Sequence, residues 1–280
     1  MKEHAMTENE LKALFSLLDD DFEIFTHIKA KIMSLGTTII PKLEKEWENS
    51  FNPIKQKRIE DIIHNLQFEL IKEKLTEWYH SEDQDLLEGM FIIATYQYPD
   101  LKLEDLKKKL EQIYFDVWVK MEEEIHPLDK VKRLNHVIFN SLKFTANSKN
   151  FHAPNNSMIN IVLESRKGNP ISLCVIYLLI AKKMNLPIHG VNLPKLFVLS
   201  YEHELNQFYI NVFNRGLIFS KEDIDNYLYQ LKIEKDERFY KPCSNLEIIQ
   251  RVIRNLIYSF EKLGDLDNVT ELRELLLILE

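Results

Sequence analysis

Asn169-Pro170-Ile171-Ser172-Leu173-Cys174-Val175-Ile176-Tyr177-Leu178-Leu179-Ile180-Ala181-Lys182-Lys183 is the segment on which the fold turns. Asn169 is a natural N-cap, and Pro170 stands at the first helical position, where its fixed φ helps and its missing N–H costs nothing. Lys182 and Lys183 sit at the negative end of the helix dipole. From Ile171 to Ala181 the residues are apolar on nearly every side, so the predicted helix is buried and central rather than amphipathic. Pro187 follows its end.

C-terminal to this helix the hydrophobic period changes from helical to two. Ile188–Asn192, Leu196–Tyr201, Gln207–Phe213 and Leu217–Phe219 predict a small antiparallel sheet. Ser220 with Asp223 caps a further helix reaching about Leu231. Ser244 with Glu247 repeats that signature, and two helices, roughly 245–263 and 267–279, hinge at Gly264-Asp265. That pair has the length of one tetratricopeptide-type hairpin.

N-terminal to the helix, residues 144–157 read as turn and loop chemistry, followed by a short helix from Met158 to Arg166 that Gly168 ends. Further back, six glycines and nine prolines in 280 residues predict helix throughout. Thr7 with Glu10 opens the first helix, Gly36 ends a second, and Ile40-Pro41 and Pro53 open two more. These short segments resemble HEAT-type hairpins. Helical spacing continues over residues 68–125, and beyond Pro127 through Leu134, Val137, Ile138 and Leu142.

Composition narrows the function classes. With 45% apolar and 29% charged residues the chain is globular, not disordered. Its net charge is −8, from 36 basic and 44 acidic residues that alternate rather than cluster, which argues against nucleic acid and anionic membranes as partners. Two cysteines, Cys174 and Cys243, make neither a disulfide framework nor a zinc site. The start, residues 1–7, is polar, without an apolar signal region, and the 11-residue apolar run 171–181 is short of the about 20 residues a bilayer span needs. A cytoplasmic protein without metal or cofactor is the expectation.

An ordered string of motifs carries a family resemblance: Asn156-Ser157, Val162-Leu163-Glu164, Gly168-Asn169-Pro170-Ile171-Ser172-Leu173, Leu186-Pro187 through Gly190-Val191, Leu193-Pro194, and Phe213-Asn214-Arg215-Gly216. Together they resemble the bacterial SirB-type proteins, a transglutaminase-like family with a tetratricopeptide-like tail. The stretch Arg251-Val252-Ile253-Arg254-Asn255-Leu256 with Gly264-Asp265 resembles that tail. The likeness covers about residues 144–280.

The resemblance implies a papain-like core. Active members start the buried helix with a Cys, whose thiolate the helix N-terminus stabilises, and place a His and an Asp on adjacent strands. Here Pro170 stands at the Cys position, as is usual in the SirB-type group. Leu196 replaces the His of the Pro-x-His-Phe motif, and Asn211 replaces the Asp of the Ile-Asp-Pro-Phe motif. The resemblance therefore implies a degenerate triad and no catalytic residue.

Rival readings attach to particular residues. Cys174 is an alternative nucleophile, but one turn inside the helix it reads as an inert core residue. His189 has no acid to orient it. His152, in the Asn-rich loop, is either solvated or at the cleft mouth. Asn155, Asn156 and Ser157 read first as turn and cap residues, Asn169 as a cap, and Asn211 as a strand residue or a peptide contact. Trp47, Trp78 and Trp118 read as core, and Lys107-Lys108-Lys109 as a solvated face. The candidate cleft residues are His152, Asn156, Ser157, Asn169, Asn192, Pro194 and Asn211.

The expected fold is α+β and predominantly helical: a HEAT-like helical region over 1–143, a transglutaminase-like core with a small antiparallel sheet over 144–232, and a tetratricopeptide-like helix pair over 233–280. The expected function is that of a pseudoenzyme binding an unknown protein or peptide. The alternatives are a cysteine-dependent hydrolase or acyltransferase, and a small-molecule binder using the residual cleft.

Overall fold

The computed structural model describes residues 7–19, 21–122, 126–203 and 206–280. Residues 1–6, which carry the expectation of a polar start, and 123–125, the end of the 68–125 helical run, lie outside them. The chain is α+β and mostly helical, and it divides into two compact units, 1–74 and 75–280. This division by packing differs from the sequence modules 1–143, 144–232 and 233–280.

The first unit contains α1 (Glu8–Ser16), α2 (Phe22–Met33), α3 (Ile40–Asn49) and most of α4 (Pro53–His80). Thr7 and Glu10 form the expected capping box, the Thr7 side chain accepting from the Glu10 N–H and the Glu10 carboxylate accepting from the Thr7 N–H. Leu11, Phe15, Ile32, Leu43, Ile59, Ile62 and Leu66 bury one shared core. The Arg58 guanidinium lies over the Phe25 ring and donates to the Leu18 carbonyl at 2.8 Å. Trp47 is not a core residue: it is 37% exposed, because its indole N–H reaches the Glu60 carboxylate at 3.0 Å.

The second unit adds α5 (Leu86–Thr95), α6 (Leu103–Trp118), α7 (Pro127–Asn135), β1 (Thr145–Ala146), α8 (Ile159–Ser165), β2 (Lys167–Gly168), α9 (Pro170–Lys183), β3 (Ile188–Leu193), β4 (Leu196–His203), β5 (Asn206–Asn211), β6 (Leu217–Phe219), α10 (Lys221–Gln230), α11 (Asn245–Leu263) and α12 (Leu266–Ile278). Trp78 is buried here, its N–H donating to the Asp85 carbonyl at 2.8 Å. Trp118 corrects the core expectation a second time: it is 55% exposed, stacked on exposed Phe115 at the end of α6.

Every residue of α9 from Ile171 to Ala181 is buried, as its all-round apolarity requires. Truncating a leucine there costs about 2–5 kcal/mol. Besides Ser172, Tyr177 is a polar member. Its hydroxyl donates to Asn135 Oδ1 at 2.9 Å, and the Asn135 amide donates to the Gly216 carbonyl at 2.8 Å. The chain Tyr177–Asn135–Gly216 ties α9 to α7 and to the β5–β6 turn, and satisfies groups whose burial unpaired would cost a few kcal/mol.

The four-strand sheet is an antiparallel meander in the order β3-β4-β5-β6. Leu193 pairs with Leu196, Val191 with Val198 and Ser200 with Tyr209. Strand alternation gives the sheet two faces. Val191, Leu193, Val198 and Tyr209 pack with Ile224 and Leu228 of α10 and with Tyr240. The opposite face carries Gly190 and Phe197. A Cβ on Gly190 would lie 2.8 Å from the Phe197 ring and 3.2 Å from both Cys243 Sγ and Ile248 Cδ1, so glycine lets α11 and its leading loop approach the sheet.

The first, second and fourth strands of this sheet begin where the period-two pattern puts them; the third begins one residue early, at Asn206, and ends at Asn211, because Val212–Asn214 turns into a short 3-10 helix. The parallel pair β1–β2 and the π-helical turn His136–Ser141 have no sequence counterpart in pattern.

Candidate functional site

A cleft of about 200 Å³ opens at the N-terminus of α9. Four segments of the second unit line it: Phe151 and His152 from the loop before α8, Asn169–Ile171, the β3–β4 turn through Lys195 and Phe197, and the row Arg251, Asn255, Tyr258 and Ser259 on α11.

The loop is rigidified from inside. Asn156 is buried and accepts from Asn147 at 2.8 Å, while its amide donates to the carbonyls of Asn150 (2.6 Å) and Phe151 (2.9 Å). Ser157, also buried, accepts from the Asn169 amide at 2.9 Å. Asn169 caps α9: its Oδ1 accepts from the Ser172 N–H at 2.9 Å, and Ser172 Oγ accepts from the Asn169 N–H at 3.1 Å. A Cβ on Gly168 would stand 2.5 Å from that hydroxyl, so the glycine before the cap is a steric requirement. The His152 ring sits edge-on to Phe151 and Tyr258.

Arg251 forms the far wall. Its Nη1 donates to the Asn192 side chain and to the Leu193 carbonyl at 2.7 Å, and its guanidinium lies 5.7 Å from the Phe197 ring centroid. Burial pulls its pKa below the ordinary arginine value, an effect too small to discharge a guanidinium at neutral pH. Among the described residues no Asp or Glu lines the cleft.

The residues singled out in the sequence divide into three groups. His152, Asn169 and Pro170 line the cleft. Asn156, Ser157 and Asn192 stand behind the lining and hold it in place. Pro194, Leu196 and Asn211 lie elsewhere: the Pro194 carbonyl accepts from the Tyr227 hydroxyl at 2.9 Å, Leu196 packs into the cluster on the α10 side of the sheet, and Asn211 Oδ1 accepts from the Asn214 N–H at 3.1 Å. Of the three triad positions, Pro170 alone borders the cleft. Leu196 faces away because it pairs with Leu193 across a two-residue turn and so shares that residue's face, leaving Phe197 on the cleft side.

Cys174 is completely buried one turn below Pro170, its thiol 3.7 Å from the Phe197 carbonyl. Burial pushes its pKa far up, the reverse of what a nucleophilic thiolate needs. Cys243, partly buried, is likewise pushed up, to about 12, chiefly by burial. His189 is exposed on β3. Among the described residues no group of three or more His, Cys, Asp or Glu side chains is placed to hold a metal ion, and no helix is long and apolar enough to cross a membrane.

Sequence reading missed Lys195, Tyr258, Ser259 and the cleft role of Arg251 and Asn255. The signal was present: Arg251, Asn255 and Ser259 recur every fourth residue beside the buried stripe Ile248, Val252, Leu256 and Phe260 of α11. Such a row suits any surface helix, and it becomes a cleft wall only where α11 packs beside the start of α9.

A family model described as the Transglutaminase-like superfamily matches residues 104–254, a span that holds the cleft lining except Asn255, Tyr258 and Ser259. A UPF0162 protein of Xylella fastidiosa (strain 9a5c) is 31% identical over 183 residues, 62% of this chain and 64% of the relative. A UPF0162 protein of Pasteurella multocida is 35% identical over 82 residues, 29% of this chain and 31% of the relative. F-box only protein 21 of Pongo abelii is 23% identical over 231 residues, 70% of this chain but 36% of the relative. The chain thus spans about 64% of the length of the Xylella relative. No solved structure matches it.

Proposed function

Starting from the fact that this chain belongs to the transglutaminase-like superfamily, we propose that it is a member without covalent catalysis, whose cleft holds a protein or peptide partner. The observation that carries this reading is the chemistry at the start of α9. Where an active member presents a thiol at the positive end of the helix dipole, the cleft here presents the Pro170 ring, and the one cysteine of α9 is sealed in the core. Supporting it, the cleft lining combines aromatic side chains with donors from Arg251, Lys195 and Asn255, a mixture suited to recognition.

In this reading the sequence modules 1–143 and 233–280 are HEAT-like and tetratricopeptide-like supports flanking a SirB-type core, and the protein works in the cytoplasm. Helical-repeat modules commonly build extended binding surfaces. The acidic balance of the chain, −8, favours a protein over a nucleic acid as partner.

A photo-crosslinking residue at position 195, compared at native expression with one at Lys108 on the exposed face of α6, tests the proposal. A discrete adduct from position 195 alone is the expected outcome. Identical adduct patterns from both positions contradict it.

A further inference from the structure

The cleft's charged lining has one sign. Arg251 and Lys195 are cationic, His152 is a third nitrogen base, and among the described residues no carboxylate accompanies them in the lining, although the whole chain is acidic by eight charges. Several other cations of this unit are paired with carboxylates: Lys109 with Glu164, Lys183 with Glu111, Arg273 with Glu261 and Lys235 with Asp225. Arg251 is held differently. Its Nη1 is committed to Asn192 and the Leu193 carbonyl, which fixes the plane of the guanidinium. Its Nε and Nη2 have no hydrogen-bond acceptor among the described residues. A partly buried guanidinium with one edge anchored and the other unfilled is a ready fork for a two-oxygen acceptor. The positive end of the α9 dipole adds to the same field.

We infer that this cleft binds a carboxylate, either the chain end or an acidic side chain of the partner. The inference rests on the partner-binding reading above and names the chemistry the partner offers. Two features favour a carboxylate. Arg251 offers a planar fork, which matches a planar two-oxygen group. The remaining walls are aromatic, from Phe151, Phe197 and Tyr258, and accept an adjoining apolar side chain. A cleft of about 200 Å³ admits one residue-sized group and not a length of chain.

Titration of the full chain, followed through the Arg251 Nε–H resonance, tests this with small probes. N-acetylphenylalanine carries a terminal carboxylate, N-acetylglutamic acid α-amide a side-chain carboxylate, and N-acetylphenylalaninamide none. Inorganic phosphate is the fourth probe. Saturable movement of the resonance by either carboxylate, with the amide at least about tenfold weaker, is the expected result; which carboxylate binds tells the chain end from the side chain. Lys195→Glu, on an exposed turn, weakens binding by about tenfold, and Arg251→Gln by more. Equal binding of the amide overturns the carboxylate inference and leaves the partner-binding proposal standing. Phosphate binding tighter than either carboxylate, or no saturable movement with any probe, also overturns it. The partner-binding proposal fails separately, by its own crosslinking result.

Discussion

The two faces of the four-strand sheet have become different materials. One face, with Val191, Leu193, Leu196, Val198 and Tyr209, is ordinary core against α10. The other, with Phe197 beside the Lys195 turn, looks onto a cleft walled by the start of α9 and by α11. Two neighbouring residues, Leu196 and Phe197, therefore answer to different demands: volume and apolarity on one side, shape and charge on the other. A triad position is meaningful in this chain only when the strand presents it to the cleft, and position 196 is not so presented.

Stability should respond first on the packing face. Tyr209 is buried, stacks near Phe219, and donates from its hydroxyl to the Tyr240 carbonyl at 3.1 Å. Tyr209→Ala should lower unfolding free energy by about 3–5 kcal/mol in denaturant titration, while leaving binding at the cleft intact in the folded fraction. A loss below about 1 kcal/mol would erase the distinction between the faces.

Restoring the missing imidazole sharpens the comparison further. Leu196→His should cost about 1–3 kcal/mol, because a polar ring replaces a packed leucine, and should create no amide or ester turnover. Gain of activity would show that position 196 reaches the cleft.

Gly190→Ala probes the cleft side. Its new methyl meets the Phe197 ring at 2.8 Å, so the ring must shift. About 1–3 kcal/mol of destabilisation is expected, with carboxylate probe binding weakened at the same time because Phe197 lines the site. Loss of stability with unchanged binding would separate Phe197 from the ligand.

The smallest stability effect belongs to Lys195→Glu, within about 0.5 kcal/mol at an exposed turn. Its large effect should be on binding alone. Marked destabilisation would mean that the lysine serves the turn rather than the cleft.

What the sequence discloses and what it hides follow from the range of the forces involved. α9 and the capping boxes at Thr7, Ser220 and Ser244 depend on neighbours a few residues apart and lie where local pattern puts them, while the third strand is cut short at Asn211. The final helix pair likewise hinges at Gly264, whose φ of +76° suits glycine. The cleft depends on register and on distant segments. Leu196 looked like a site residue because motif spacing says nothing about which face a strand shows after a tight turn. Arg251 lies 81 residues beyond Pro170, and its anchoring to Asn192 appears only once α11 packs on the sheet. Trp47 and Trp118 escaped the core rule because a tryptophan can satisfy its ring against a single neighbour and its N–H at the surface.

The central proposal is that a cleft with Pro170 at the start of α9, and with Cys174 sealed in the core below it, carries out no covalent catalysis. Incubating the purified full chain with a panel of peptide amides and aryl esters, beside its Cys174→Ala variant, measures that directly. The expected result is release at the buffer rate from both proteins, with no acyl adduct by intact mass. Turnover above buffer that a single substitution at Cys174, His152 or Ser259 abolishes would contradict it.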